Sequence, residues 1–255
     1  MNTTSLILSE ATRPPTSLEL SDPRKAYDYA MDVIKGPFPE GEAAIAKITW
    51  LSYLYAIWVI KGRWPRGEAA IAKDPRYAFD YVENILSGRS IFLTQDKITG
   101  KFVHLSQWTL HRWPEGEASM ATDSHYAYVY ARDVIKDRWP EGEAAIATSP
   151  EAYLYARDII KGRWPEGEAA IATDPSQAYY YAKNVIEGPF PEGEESMATD
   201  SYCAYYYVMD VLKGRFPKGE ETIAKDLHFA KKYLEAFPDA KIEWYAREWI
   251  DWTQL

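Results

Sequence analysis

The sequence predicts an all-α solenoid, and three observations carry that prediction. The block Trp/Phe-Pro-x-Gly-Glu occurs seven times, with its proline at Pro39, Pro65, Pro114, Pro140, Pro165, Pro191 and Pro217. Consecutive prolines lie 26, 49, 26, 25, 26 and 26 residues apart, and a fixed period of roughly 20 to 50 residues marks a repeat array. Between the blocks, apolar residues recur at helical rather than strand spacing. The expectation is about nine short two-helix units: seven with the signature, one that has lost it in the gap of 49, and one capping unit.

The first helix of each unit is legible around Pro165. Ala152, Tyr153, Tyr155, Ala156, Ile159 and Ile160 form one broad apolar stripe, with Arg157, Asp158 and Lys161 largely off it. Ser149-Pro150 and Asp174-Pro175 read as an N-cap followed by proline at N1, and Gly162 reads as the stop. The second helix starts at Pro165. Its first turn carries Glu166 and Glu168, which the helix dipole favours by about 0.3–1 kcal/mol each. Gly41, Gly67, Gly116, Gly142, Gly167, Gly193 and Gly219 recur inside this start. A helix former there would gain roughly 1 kcal/mol, so the repeated glycine implies close packing or an unusual dihedral. Neither helix could stand alone in water, and stacking on neighbours supplies the missing burial.

The ends and the middle depart from the pattern. Residues 1–20 read as a loose N-terminal arm, 21–226 as the array, and 227–255 as an aromatic capping unit with Trp244, Trp249 and Trp252. An aberrant segment spans 90–111. There Ile91–Thr94 and Lys101–Leu105 flank a polar turn with Thr99-Gly100, which predicts a small β-hairpin near 91–105. A bent helix entering Trp108 is the alternative.

Composition excludes several classes. The chain is 47% hydrophobic, too apolar for disorder. Its single cysteine, Cys203, excludes an intrachain disulfide framework and a multi-cysteine zinc site, and reads as a small packing residue. No apolar run approaches the roughly 18 to 20 residues that cross a bilayer, and Met1 to Leu20 lack a signal-peptide pattern, so a cytoplasmic protein without membrane contact is expected. The net charge of −9 argues against a basic nucleic-acid-binding face.

The stretch Glu151-Ala152-Tyr153-Leu154-Tyr155-Ala156-Arg157-Asp158-Ile159-Ile160-Lys161-Gly162-Arg163-Trp164-Pro165-Glu166-Gly167-Glu168 resembles the unit of tandem helical repeats in uncharacterised phage-encoded proteins. With its copies the resemblance covers roughly residues 22–226 apart from the aberrant segment. It implies a viral accessory protein in the host cytoplasm, in a class of small proteins that often antagonise bacterial defence. It transfers no chemistry.

The search for chemistry favours a protein that is not an enzyme. Phosphate-loop, nucleophile-elbow and His-Glu-x-x-His motifs are missing from the sequence. His104, His111 and Asp96 could form a metal or acid–base cluster, but their spacing is weak, and separate surface histidines are the better reading, with no metal or cofactor expected. Glu42, Glu68, Glu117, Glu143, Glu168, Glu194 and Glu220 recur at one position and read as rungs of a salt-bridge ladder with Arg63, Arg112, Arg138, Arg163 and Arg215. An alternative reading uses Arg63, Arg138, Arg163 and Arg215 beside their aromatic neighbours to bind a nucleotide or nucleic acid. Against it, Pro37 and Pro189 replace the arginine in two copies, and every copy has glutamates nearby. Most of the 20 tyrosines read as core, with Tyr180 and Tyr206 facing outward as interface anchors. The expected function is stoichiometric binding and inhibition of a host defence protein. The expected contact is segment 89–112, through Arg89, Lys97, Lys101, His104, His111 and Arg112, with a tolerated loop insertion as the equal alternative. A structural virion protein is a third reading.

Overall fold

The computed structural model describes residues 14–87, 110–240 and 242. The chain is an all-α solenoid, with helices packed neighbour to neighbour and no strand among the described residues. It divides into two compact bodies, Met1–Ile135 and Lys136–Leu255. The β-hairpin expected near 91–105 lies outside the described residues, as do Trp244, Trp249 and Trp252.

The first body opens with α1 (Ser17–Ser21), which starts within the stretch expected as a loose arm and ends one residue past it. Thr16 and Glu19 close it with a reciprocal capping box. There follow α2 (Pro23–Asp28), α3 (Glu42–Ile45), α4 (Thr49–Leu54), α5 (Pro65–Ile71), α6 (Pro75–Tyr81), α7 (Pro114–Met120) and α8 (Ser124–Tyr130). The second body contains α9 (Pro140–Ile146), α10 (Ala152–Tyr155), α11 (Pro165–Ile171), α12 (Pro175–Tyr181), α13 (Glu194–Met197), α14 (Ser201–Tyr206), α15 (Pro217–Ala224) and α16 (Leu227–Ala236). Helices α2, α4, α6, α8, α10, α12 and α14 are the first helices of their units, and each runs on into a π-helical turn, such as Ala156–Ile160 after α10.

The helix starts follow the sequence at most positions. Asp22, Asp74, Asp123, Asp174, Asp200 and Asp226 each cap a first helix through a side-chain bond to backbone N–H. Ser149 differs: its hydroxyl donates to the carbonyl of Ile146, and α10 begins only at Ala152. The stops also differ from expectation. The left-handed residue is Lys161 (φ 56°), not Gly162, and Lys35, Lys61, Lys136, Glu187 and Lys213 do the same in other units. Ala156 O accepts both Lys161 N–H and Gly162 N–H, so a single carbonyl closes the end of the helix.

The recurring glycine is explained by packing. A Cβ at Gly67 would lie 2.1 Å from the Trp64 ring, and one at Gly167 would lie 2.4 Å from the Trp164 ring. Gly41 has φ −91°, which any residue adopts, so the unusual-dihedral alternative falls. The aromatic residue folds back onto its own glycine, and the space left is too small for a methyl group.

The gap of 49 residues holds an insertion and not a lost unit. Tyr29, Tyr55, Tyr155, Tyr181 and Tyr207 each stack on an aromatic ring nine residues later, as Tyr155 does on Trp164 at 5.0 Å. Tyr81 stacks at 5.2 Å on Trp113, thirty-two residues later. A Cβ at Gly116 would meet Ala78 at 3.3 Å, just as one at Gly167 would meet Ala152 at 3.3 Å. So α7 is the second helix belonging to α6, with 23 additional residues in the connection between them. The count of about nine units shortens accordingly. The first body holds three complete units and one further first helix. The second body holds α9, three complete units and α16.

Deleting residues 88–110 restores the nine-residue spacing. With His111→Gly to regain the usual connection, this variant should melt within a few degrees of the parent, because changing the length of a connection costs only about 0.6 kcal/mol per doubling. Circular dichroism melting checks it, and loss of cooperative unfolding would show that the added residues belong to the core.

Candidate functional site

The charged motif residues are held in one repeated network. The backbone N–H of the aromatic residue donates to a tyrosine hydroxyl of the next unit, and that hydroxyl donates to the motif glutamate. In one copy Trp164 N–H reaches Tyr181 at 2.7 Å and Tyr181 reaches Glu168 at 3.0 Å. In another, Phe216 N–H reaches Tyr233 at 3.1 Å and Tyr233 reaches Glu220 at 2.9 Å. The same pair of bonds recurs through Tyr55, Tyr81, Tyr130, Tyr155 and Tyr207.

The glutamates then receive the arginines. Arg63, Arg112, Arg138, Arg163 and Arg215 each make two nearly parallel bonds to their glutamate, for example 2.6 and 3.0 Å from Arg163 to Glu168. The salt-bridge ladder read from the sequence is present. Where proline replaces arginine, the next unit supplies the cation. Glu42 takes Arg66 at 2.9 Å, and Glu194 takes Lys218 at 3.3 Å. Arg66 and Lys218 occupy the variable motif position directly after the Pro37 and Pro189 copies, where other copies carry glutamate. That substitution pattern is the sequence signal for the exchange.

The electrostatics follow from these bonds. Hydrogen bonds from arginine, first among their causes, hold the Glu117, Glu143 and Glu220 carboxyls below the ordinary carboxylate value. Burial pushes the Tyr55, Tyr181, Tyr207 and Tyr233 hydroxyls up to about 12. The Trp64, Trp113 and Trp164 rings are buried, and their indole N–H groups have no hydrogen-bond acceptor. Phe38, Phe190 and Phe216 fill the same slot without that donor.

The outer face of the first helices carries a second set of contacts. Asn84 donates to the Tyr53 hydroxyl at 3.2 Å, Asn184 to Tyr153 at 3.4 Å, and Tyr179 donates to Asp210 at 2.5 Å. Arg132 lies 5.1 Å over the Tyr128 ring, Arg157 5.4 Å over Tyr153, and Lys183 5.5 Å over Tyr179. Beyond them, on α12, α14 and α16, the rings cluster without such cover. Tyr202 lies 4.5 Å from Tyr206 and 6.1 Å from Phe229, while Tyr180 packs 4.9 Å from Tyr179. Tyr180 and Tyr202 are 38% and 44% exposed, and Tyr206 is half-buried. Tyr180 therefore faces out as expected. Tyr202 and Phe229 were missed because they sit two and one residues before the alanine of the stripe, where most other units carry residues that are not aromatic.

The remaining sequence-derived candidates do not assemble into a site among the described residues. Arg89, Lys97, Lys101, His104 and Asp96 lie outside them. His111 is exposed at the entry to α7, and Arg112 is committed to Glu117. Cys203 is buried, as a packing residue should be, with burial pushing its thiol up to about 12. No group of three His, Cys, Asp or Glu side chains among the described residues could hold a metal ion. No described helix is long and apolar enough to cross a membrane. A cavity of about 330 Å³ between α1 and α2 is lined by charged groups, of which Glu19 serves the capping box and Asp28 pairs with Arg24. Comparison with protein-family models, curated proteins and solved structures gives no match.

Two outcomes follow from the network. Lys218→Glu leaves Glu194 beside a like charge and lowers the melting temperature, and adding Pro189→Arg brings it back. Failure of the second change to rescue the first would show that the two cation sources are not equivalent. Titration tests the carboxylates and hydroxyls together. The lowered glutamates contribute stability that is present above their ordinary value of 4.5 and lost as pH falls through the lower folded-state values. The raised tyrosines contribute stability that is present below their ordinary value of 10.0 and lost as pH rises through about 12. Urea unfolding across this range should show a plateau that falls at both ends.

Proposed function

We propose that this chain is a non-catalytic protein-binding solenoid that acts by occupying the surface of another protein in a one-to-one complex. The observation that carries this reading is the contrast between its polar and aromatic side chains. The repeated glutamates and arginines satisfy one another, so they offer little to a substrate. Tyr180 and Tyr202 instead spend their rings on an exposed cluster, and exposed tyrosines are effective anchors in protein interfaces. The resemblance to phage-encoded repeats directs the search for a partner to bacterial proteins in the host cytoplasm, and to defence components first. Inhibition is then steric, and turnover plays no part.

The nucleotide reading fares less well. Arg63, Arg138, Arg163 and Arg215 already hold carboxylates in bidentate pairs, and a phosphate would have to displace them. Self-assembly as a virion component has no specific observation in its favour.

Native mass spectrometry of the tagged chain recovered from bacterial lysate tests the proposal. The expected result is one bacterial protein in a one-to-one complex that persists without added nucleotide. Recovery of a bound nucleotide with no protein would replace this reading with the arginine-lined one.

A further inference from the structure

Resting on the protein-binding reading, we propose that the aromatic face of Tyr180, Tyr202, Tyr206 and Phe229 is the partner site, and that it takes a basic, arginine- or lysine-rich protein segment. The chain itself seats cations on rings at the matching position of its first helices. Tyr128, Tyr153 and Tyr179 each carry an arginine or lysine four residues later, lying 5.1, 5.4 and 5.5 Å over the ring. In the next unit the pattern stops: Tyr205 is followed at the same spacing by Met209. There the Tyr205 ring stacks on Phe229 at 5.0 Å in place of a cation, and beside it Tyr202 and, on α12, Tyr180 are left 44% and 38% exposed.

Charge complementarity selects the occupant. Residues 1–135 carry 15 Lys+Arg against 16 Asp+Glu, a net of −1, while residues 136–255 carry 14 against 22, a net of −8. The aromatic face belongs to the body that holds nearly all the net negative charge. Locally, Asp174, Asp200 and Asp226 cap α12, α14 and α16 at the same helix ends as Tyr202. Asp210 and Glu235 are the charged side chains that act on Tyr205. Lys183 is held by Asp210 at 2.7 Å, and Lys231 and Lys232 stand on α16 at the register positions of Tyr205 and Tyr206, so they bound the face on that side. A guanidinium can then lie on a ring face while the surrounding field draws the segment in.

A fluorescein-labelled Arg-Gly repeat peptide, with the matched Glu-Gly peptide as control, is titrated with the full chain and followed by anisotropy. The Arg-Gly peptide should bind and the Glu-Gly peptide should not. Tyr180→Ser with Tyr202→Ser should weaken binding roughly tenfold or more, whereas Trp50→Ser, an exposed ring in the first body, should not change it. Tyr202→Lys, a single surface change, should also abolish binding, and guards against a double variant that misfolds by circular dichroism. Absence of Arg-Gly binding, or equal binding by parent, double variant and Tyr202→Lys, overturns the proposal, the latter by reducing the effect to net charge. The two readings fail separately. A bacterial partner retained equally by the double variant leaves protein binding intact and removes this face, whereas the parent capturing no partner removes protein binding itself.

Discussion

In every copy of the motif, one tyrosine hydroxyl accepts the N–H of the aromatic residue that opens a second helix and donates to the glutamate four residues further on. That aromatic residue sits at the N-cap with non-helical backbone (φ −129°, ψ 87° at Trp164), so its N–H has no helical acceptor. A buried N–H left without a partner costs about 1–3 kcal/mol. The acceptor comes from the following unit, 16 or 17 residues later. A second helix is therefore incomplete until its successor has folded against it. This is nearest-neighbour coupling of the kind that turns marginal units into a cooperative array.

The same tyrosine also fixes its own unit. Its ring stacks on the aromatic residue that follows, 5.0 Å away between Tyr155 and Trp164, while its hydroxyl reaches back to Trp139 N–H at 2.8 Å. One side chain thus wedges two successive motifs apart at a set distance. The glycine keeps the ring flat against the second helix, and the alanine of the first helix closes the other side. Phenylalanine suffices in the slot because only the ring and the backbone N–H are used. Arginine is dispensable too, since a cation from the next unit neutralises Glu42 and Glu194. Tyrosine has no such substitute, and all seven bridges keep it.

Much of this was legible before any coordinates. Period, helix pairing, N1 prolines, aspartate caps and the arginine–glutamate ladder all follow from local spacing. What escaped was what depends on contacts across units or on backbone detail. The tyrosine stripe announces burial, but nothing in a stripe says where a hydroxyl points. The stop after the first helix reads from the sequence as Gly162, yet the left-handed conformation falls one residue earlier, at Lys161, where the π-helical turn ends. The 49-residue gap resembled two periods because the 23 extra residues fall near one period by coincidence. The seating of Trp113 on Tyr81 and of Gly116 against Ala78 distinguishes an insertion from a worn copy.

Regularity itself bears on where a specific contact can lie. A group repeated in every unit, such as the motif glutamate, is fully occupied in holding its neighbour, and changing it would unmake the array. Recognition of one partner instead needs positions where units differ. On the outer face of the first helices, the position of Tyr180 and Tyr206 carries Asp28, Leu54, Asp80, Val129, Leu154 and Lys232 in other units. The stacking network tolerates all of them, because it makes no demand there. Such positions are free to diverge at little cost to folding, and two consecutive units hold tyrosine where most of the others hold something smaller or charged. The rigid frame supplied by the hydroxyl bridges then holds those rings in place at the surface, which reduces the ordering cost of any complex they form.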